Sequence, residues 1–165
     1  MFNLIMRWFD WGDGNASMPL DRLFEYTDNH VADQFRDNGN ALLDRIARLP
    51  CLFMTEGRGD EVARVGSIIR PRIANREIYF EFVLDADVAP LQNHVVYENR
   101  HALDMPVDFE FSRNHWAMKD VDLYRFLFRD AQPRRQRPSV FRLEDHENIE
   151  PTLGPVKNQQ NWFDP

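Results

Sequence analysis

The chain has 165 residues, 43% of them apolar and 13% aromatic, with a formal charge of -7 and a pI near 5.2. That apolar share encloses one core but is short for two independent domains. The acidic balance excludes a surface that wraps a nucleic-acid backbone, because phosphate binding needs a clustered cationic footprint.

Residues 1–11 open on an apolar cluster, yet Arg7 and Asp10 interrupt it before it reaches the length of a secretory signal, and no small-residue cleavage site follows. No later stretch is long and apolar enough to span a bilayer, so no membrane partner is expected. Residues 1–19 read as an N-terminal arm that packs on the core as an edge strand or short helix. Leu20, Leu23 and Phe24 then recur at helical spacing and lead to Tyr26. Thr27 or Asp28 can cap a second helix carrying Val31 and Phe35, since a short side-chain oxygen accepts the free N–H groups of a first turn. Asn38-Gly39 ends it, Asn40 can cap a third helix with Leu42, Leu43 and Ile46 on its apolar stripe, and Pro50 closes that helix.

Cys51-Leu52-Phe53-Met54-Thr55 is continuous and apolar, the pattern of a strand buried on both faces. Cys51 is the only cysteine, so an internal disulfide is impossible and a cytoplasmic location is expected. Residues 62–85 form the centre of the pattern. Ile78, Phe80, Phe82 and Leu84 alternate with Tyr79, Glu81 and Val83, while Val65, Ile69 and Ile73 share a parity on the preceding run. Asn75 between the two runs tolerates the left-handed conformation of a tight turn, which predicts a long twisted hairpin. Gly66 predicts a bulge or sharp coil, and Pro71 an edge. Residues 91–103 give a weaker helical stripe, Phe109 and Phe111 against Glu110 predict a fourth strand, and Asp120 or Asp122 can cap a last helix with Leu123, Phe126 and Leu127. From residue 132 the composition becomes basic, proline-flanked and aperiodic, a linker followed by a polar tail.

The expected fold is α+β: a small, strongly bent antiparallel sheet of SH3- or OB-like partial-barrel type, flanked by several short helices, with an extended C-terminal tail. Its divisions are an arm (residues 1–19), a core domain (20–131) and an Arg/Pro-rich linker and tail (132–165).

His115, Lys119, Asp120 and Asp122 lie close in sequence, and an acid, a base and a cation in mutual reach are what general acid–base chemistry requires. The competing structural reading makes the aspartates helix caps, leaves Lys119 solvated and uses His115 with Trp116 as a plug; capping aspartates are far commoner than catalytic ones, which favours it. His94 and His101 lack a third ligand, and the acidic pairs Glu56 with Asp60 and Asp85 with Asp87 lack the ligand number of a hard-cation site, so neither metal nor cofactor is expected. Gly57-Arg58-Gly59 lacks the Lys-Ser/Thr of a phosphate loop and reads as a turn. Arg125, Arg129, Arg134, Arg135, Arg137 and Arg142 make the densest positive run.

Leu23-Phe24-Glu25-Tyr26-Thr27, Leu49-Pro50-Cys51-Leu52-Phe53, Val65-Gly66-Ser67-Ile68, Phe82-Val83-Leu84-Asp85 and the decamer Asn114-His115-Trp116-Ala117-Met118-Lys119-Asp120-Val121-Asp122-Leu123 together resemble an N-terminal domain of bacteria and their prophages. In that kind of protein the domain precedes effector domains similar to nucleoside 2-deoxyribosyltransferases or Toll/interleukin-receptor-like enzymes, often in phage defence. Residues 137–153 resemble the connector into such an effector domain, after which Gly154-Pro155-Val156-Lys157-Asn158 departs from the expected apolar strand. The resemblance therefore implies a recognition half without its catalytic half. The resulting expectation is a non-enzymatic interaction or regulatory module, whose protein partner is a host or defence-system protein or a second copy of itself, bound through Arg134, Arg135, Arg137, Val140 and Phe141. The alternatives are a nucleic-acid-binding barrel using Arg64, Arg70 and Arg72, and an enzyme centred on His115 and Asp120.

Overall fold

The computed structural model describes residues 1–12, 14–35 and 39–129. A seven-stranded sheet runs in the order β2-β5-β4-β3-β1-β7, with a short β6 paired to β4. These strands are β1 (Phe2–Arg7), β2 (Asn15–Pro19), β3 (Cys51–Thr55), β4 (Val62–Ala74), β5 (Glu77–Leu84), β6 (Leu91–Gln92) and β7 (His115–Lys119). The helices are α1 (Asn29–Ala32), α2 (Asn40–Ile46), α3 (Asn93–Glu98) and α4 (Leu123–Arg129).

The fold is α+β and the sheet is a strongly curled half-barrel. Its pairings are antiparallel except one: β1 runs parallel to β3, in register Asn3 to Cys51 through Arg7 to Thr55, which makes the sheet mixed. Residues 2–7, expected as an edge or a helix, form an inner strand between β3 and β7. Five of the six residues are buried, which explains the apolar start: this strand has no solvent face. The run in β3 is likewise buried on both sides, as its composition predicts.

Alternation divides the side chains between two cores. One face carries Ile5, Phe53, Phe80, Phe82 and Trp116 under Val31, Phe35, Leu43 and Ile46. The other carries Phe2, Leu4, Leu52, Val65 and Ala117 under Val96, Leu103, Phe111 and Phe126. The hairpin of β4 and β5 turns at Asn75 and Arg76, with φ of 51° and 64°. Two consecutive left-handed residues match the twist of the strands they join. Gly66 admits a close strand crossing: a Cβ there would collide with the Val83 carbonyl oxygen. The bulge itself lies further on, where Arg70 and Pro71 together oppose Phe80 between the pairs Ile69 with Glu81 and Arg72 with Tyr79.

Three further expected elements differ. Residues 108–112 form a 3-10 helix, with Glu110 and Phe111 buried and Phe109 exposed, because this segment caps the core rather than joining the sheet. The stripe over 91–103 breaks into β6, α3 and a 3-10 turn at Arg100–Leu103. Of the helix expected after residue 20 only a 3-10 turn, Leu20–Arg22, forms. The chain then crosses to the far edge of the sheet, where the Phe24 N–H donates to the Trp116 carbonyl (2.8 Å) and Thr27 Oγ1 accepts from the Met118 N–H (2.8 Å). The segment that leaves edge strand β2 thus covers the opposite edge strand β7. Of the two aspartates expected as possible caps of α4, Asp122 fills the role, its Oδ1 accepting from the Arg125 N–H at 3.0 Å, and Leu123, Phe126 and Leu127 face inward.

Candidate interaction surface

His115 and Lys119 point from the same face of β7 into the second core. They meet, but not over Asp120 or Asp122. Their common partner is Glu110, whose Oε1 lies 3.3 Å from His115 Nε2 and 2.9 Å from Lys119 Nζ. The Lys119 ammonium has three donors, and the other two go to the carbonyls of Tyr26 (2.9 Å) and Asp104 (2.7 Å). His115 Nδ1 donates to the Arg113 carbonyl at 2.6 Å, and its ring meets Tyr26 edge-on at 4.9 Å. The left-handed backbone at Tyr26 (φ 59°) and Asp104 (φ 58°) occurs at the two residues whose carbonyls receive the lysine.

Exposure decides what this cluster does. The side chains of His115, Glu110 and Lys119 are 0%, 1% and 2% exposed, so the cluster is closed to solvent. The cluster is a staple that ties the 20s crossing, the turn at Asp104 and the 108–112 helix to β7. Lys119 is therefore buried and paired, against the expectation of a solvated lysine. Asp120 is outside it, 3.9 Å from the exposed His30, and Asp122 is the helix cap. Glu110 escaped sequence reasoning because Phe109 and Phe111 around it imitate strand alternation. Glu110 Oε2 is buried without a hydrogen-bond partner among the described residues.

The hairpin arginines do not form one patch. Arg64 shares its face with Ile68, on the side of the first core, whereas Arg72 lies opposite Tyr79 on the outer face, since the bulge reverses the parity of β4. Arg70 pairs with Glu81 at 2.8 Å. Arg134, Arg135, Arg137, Val140 and Phe141 lie outside the described residues. No three potential metal ligands converge among the described residues.

The surface feature that sequence reasoning overlooked is the loop after β1. Trp8 and Phe9 are 76% and 64% exposed, side by side. Arg7 braces the loop at Phe9, Asp10 and Trp11: its Nε donates to the Phe9 carbonyl at 3.0 Å, its Nη2 donates to the Asp10 carbonyl, and its guanidinium lies 4.3 Å from the Phe9 ring and 4.2 Å from that of Trp11. Trp11 is buried against Phe53 and Phe82 and donates from Nε1 to the Met54 carbonyl at 3.0 Å. Both ends of the loop are thus anchored in the core while its two aromatics face water. Exposed Val107 and Phe109 lie at the same end of the sheet, where Glu56 bonds Arg7 and Gly57 bonds Phe111 through the backbone. Three aromatics within four residues, Trp8, Phe9 and Trp11, were the available signal.

Comparison with known proteins leaves this surface to be read on its own terms. No family model, curated protein or solved structure matches the chain. Among the described residues no helix is long and apolar enough to cross a membrane.

Proposed function

We propose that this protein is a non-enzymatic protein-interaction module that docks through the loop carrying Trp8 and Phe9. The observation that supports this reading is the anchoring of that loop. Exposing two large aromatics costs solvation, and anchoring the loop that carries them at both ends reduces the entropy that binding would otherwise cost, a combination suited to hot-spot residues. Asp10 and Glu56 beside them, on a chain of net charge -7, suit an apolar pocket with a basic rim. The prophage-domain resemblance would place the partner among host or defence-system proteins, in the cytoplasm. The linker arginines would then be a second contact.

The test is capture of a partner from host lysate, with sizing of the purified chain, for the parent protein and for Trp8→Ala/Phe9→Ala. A complex or self-assembly that the double variant loses, with an unchanged melting temperature, is the expected outcome. Stable capture that is indifferent to both aromatics would move the interface elsewhere. A monomer that captures nothing, or one that binds lipid vesicles in place of protein, would overturn the reading.

A further inference from the structure

The bulge in β4 creates a second feature, on the outer face of the hairpin and independent of the Trp8 loop. Arg70 takes a left-handed φ of 49° there, a conformation disfavoured for a residue with a Cβ. Its consequence is local: Arg70 and Arg72 both line one shallow cleft, about 270 Å³ in volume, with Tyr79, Glu81, Asn15 and Ala16. That volume lies just below the ligand-pocket range of roughly 300–1,000 Å³, so the cleft suits a small group.

Charge and geometry define which group. Arg72 stands over the Tyr79 ring at 5.1 Å, and among the described residues its guanidinium meets no carboxylate. Stacking of this kind fixes the plane of the guanidinium and leaves its fork of N–H donors free. Arg70 spends only Nη1 on Glu81, at 3.0 and 2.8 Å from the two carboxylate oxygens. The cleft therefore holds two guanidinium groups against one carboxylate, with donors in excess, beside a flat aromatic wall.

We infer that this cleft binds a phosphate monoester whose organic part is flat, with the phosphoryl oxygens on the Arg72 fork and the second positive charge supplied by Arg70. Bidentate arginine suits phosphate, and the tyrosine face suits a ring. Glu81 has a definite role in this arrangement. It holds Arg70 in place but repels the ligand, so it sets the affinity low.

The experiment is titration of the full chain with inorganic phosphate, phenyl phosphate and AMP, read by calorimetry and by amide shifts of the β2, β4 and β5 strands. Saturable binding in the millimolar range or tighter is expected, with both ring-bearing ligands ahead of inorganic phosphate. AMP ahead of phenyl phosphate would assign the source to nucleotides, and the reverse order to aryl phosphates such as phosphotyrosine; both uphold the site. Arg72→Lys should weaken binding about tenfold, because an ammonium lacks the fork. Glu81→Gln should tighten it by a similar factor, a gain that mere loss of packing would not produce. Both residues lie on the surface, so melting temperatures should barely move. No localised shift with any of the three ligands, an affinity indifferent to Arg72→Lys, or weaker binding by Glu81→Gln would each overturn the inference. None of these outcomes depends on the Trp8 loop.

Discussion

Lys119 shows at the scale of one residue how a charge can sit in a core. Burying an ammonium costs several kcal/mol unless every donor is matched, and here a carboxylate and two carbonyls match all three. Removing the lysine would leave Glu110 buried with its main cation gone. Lys119→Met should therefore cost about 3–5 kcal/mol in urea unfolding, and the Lys119→Met/Glu110→Gln pair less than the sum of the two single changes. A loss below about 1 kcal/mol, the range of exposed ion pairs, would show that the staple does not hold. Glu25 offers a pH test. Burial pushes its carboxyl up, but the hydrogen bonds and charges of Arg113 and Arg22 outweigh that effect and leave it below the ordinary carboxylate value. A carboxylate lowered on folding adds stability that is complete above its unfolded pKa and disappears as pH falls through the folded one. Glu25→Gln should thus lower stability near neutrality, change little at the acid end where the parent carboxyl is itself protonated, and so flatten the acid limb of the stability curve. Parallel acid limbs for the two proteins would contradict the assignment.

At the scale of the element, the hairpin and the strand at Cys51–Thr55 were legible because their patterns are local. Alternation, a turn residue and a continuous apolar run each report on immediate neighbours. Gly66 marks where that legibility stops. The residue signals an irregular strand, but its use is a close approach of the Val83 carbonyl, while the bulge falls at Arg70 and Pro71. Gly66→Ala is expected to destabilise the sheet by about 2 kcal/mol or more, since the obstruction is backbone rather than a movable side chain. Thermal melting of the variant, with Ser67→Ala as an exposed control on the same strand, checks this; equal melting temperatures would rule out the close contact. The segment at 108–112 misleads in the opposite way. Phe109, Glu110 and Phe111 alternate as in a strand, yet the charged member is the buried one, because Lys119 and His115 await it across the core.

For the whole molecule, the position of β1 matters most. An inner strand pairs on both sides, with β3 and β7, so it cannot detach as an arm would. Deleting residues 1–7 should abolish cooperative unfolding and the protected fluorescence of Trp116, whose indole donates to Asn3 Oδ1 at 2.9 Å. A truncated chain that still melts in one sharp transition would show the strand to be dispensable. The same placement gives the Trp8 loop its significance, since a loop that leaves a central strand and returns to the core at Trp11 is fixed at both ends.

The amino-acid sequence alone determined the class of the fold, the curled hairpin at its centre, the buried third strand and the cap of the last helix, because each follows from spacing within about ten residues. Only the tertiary structure decided that Glu110, and not Asp120, completes the cluster at His115 and Lys119, that Arg64 faces away from Arg72, and that the N-terminus lies inside the sheet. Those outcomes depend on which distant segments pack together. A contact such as that of Tyr26 with Lys119 leaves no periodic trace in the chain, since its stabilisation arises when a core closes and donors far apart in sequence find their acceptors.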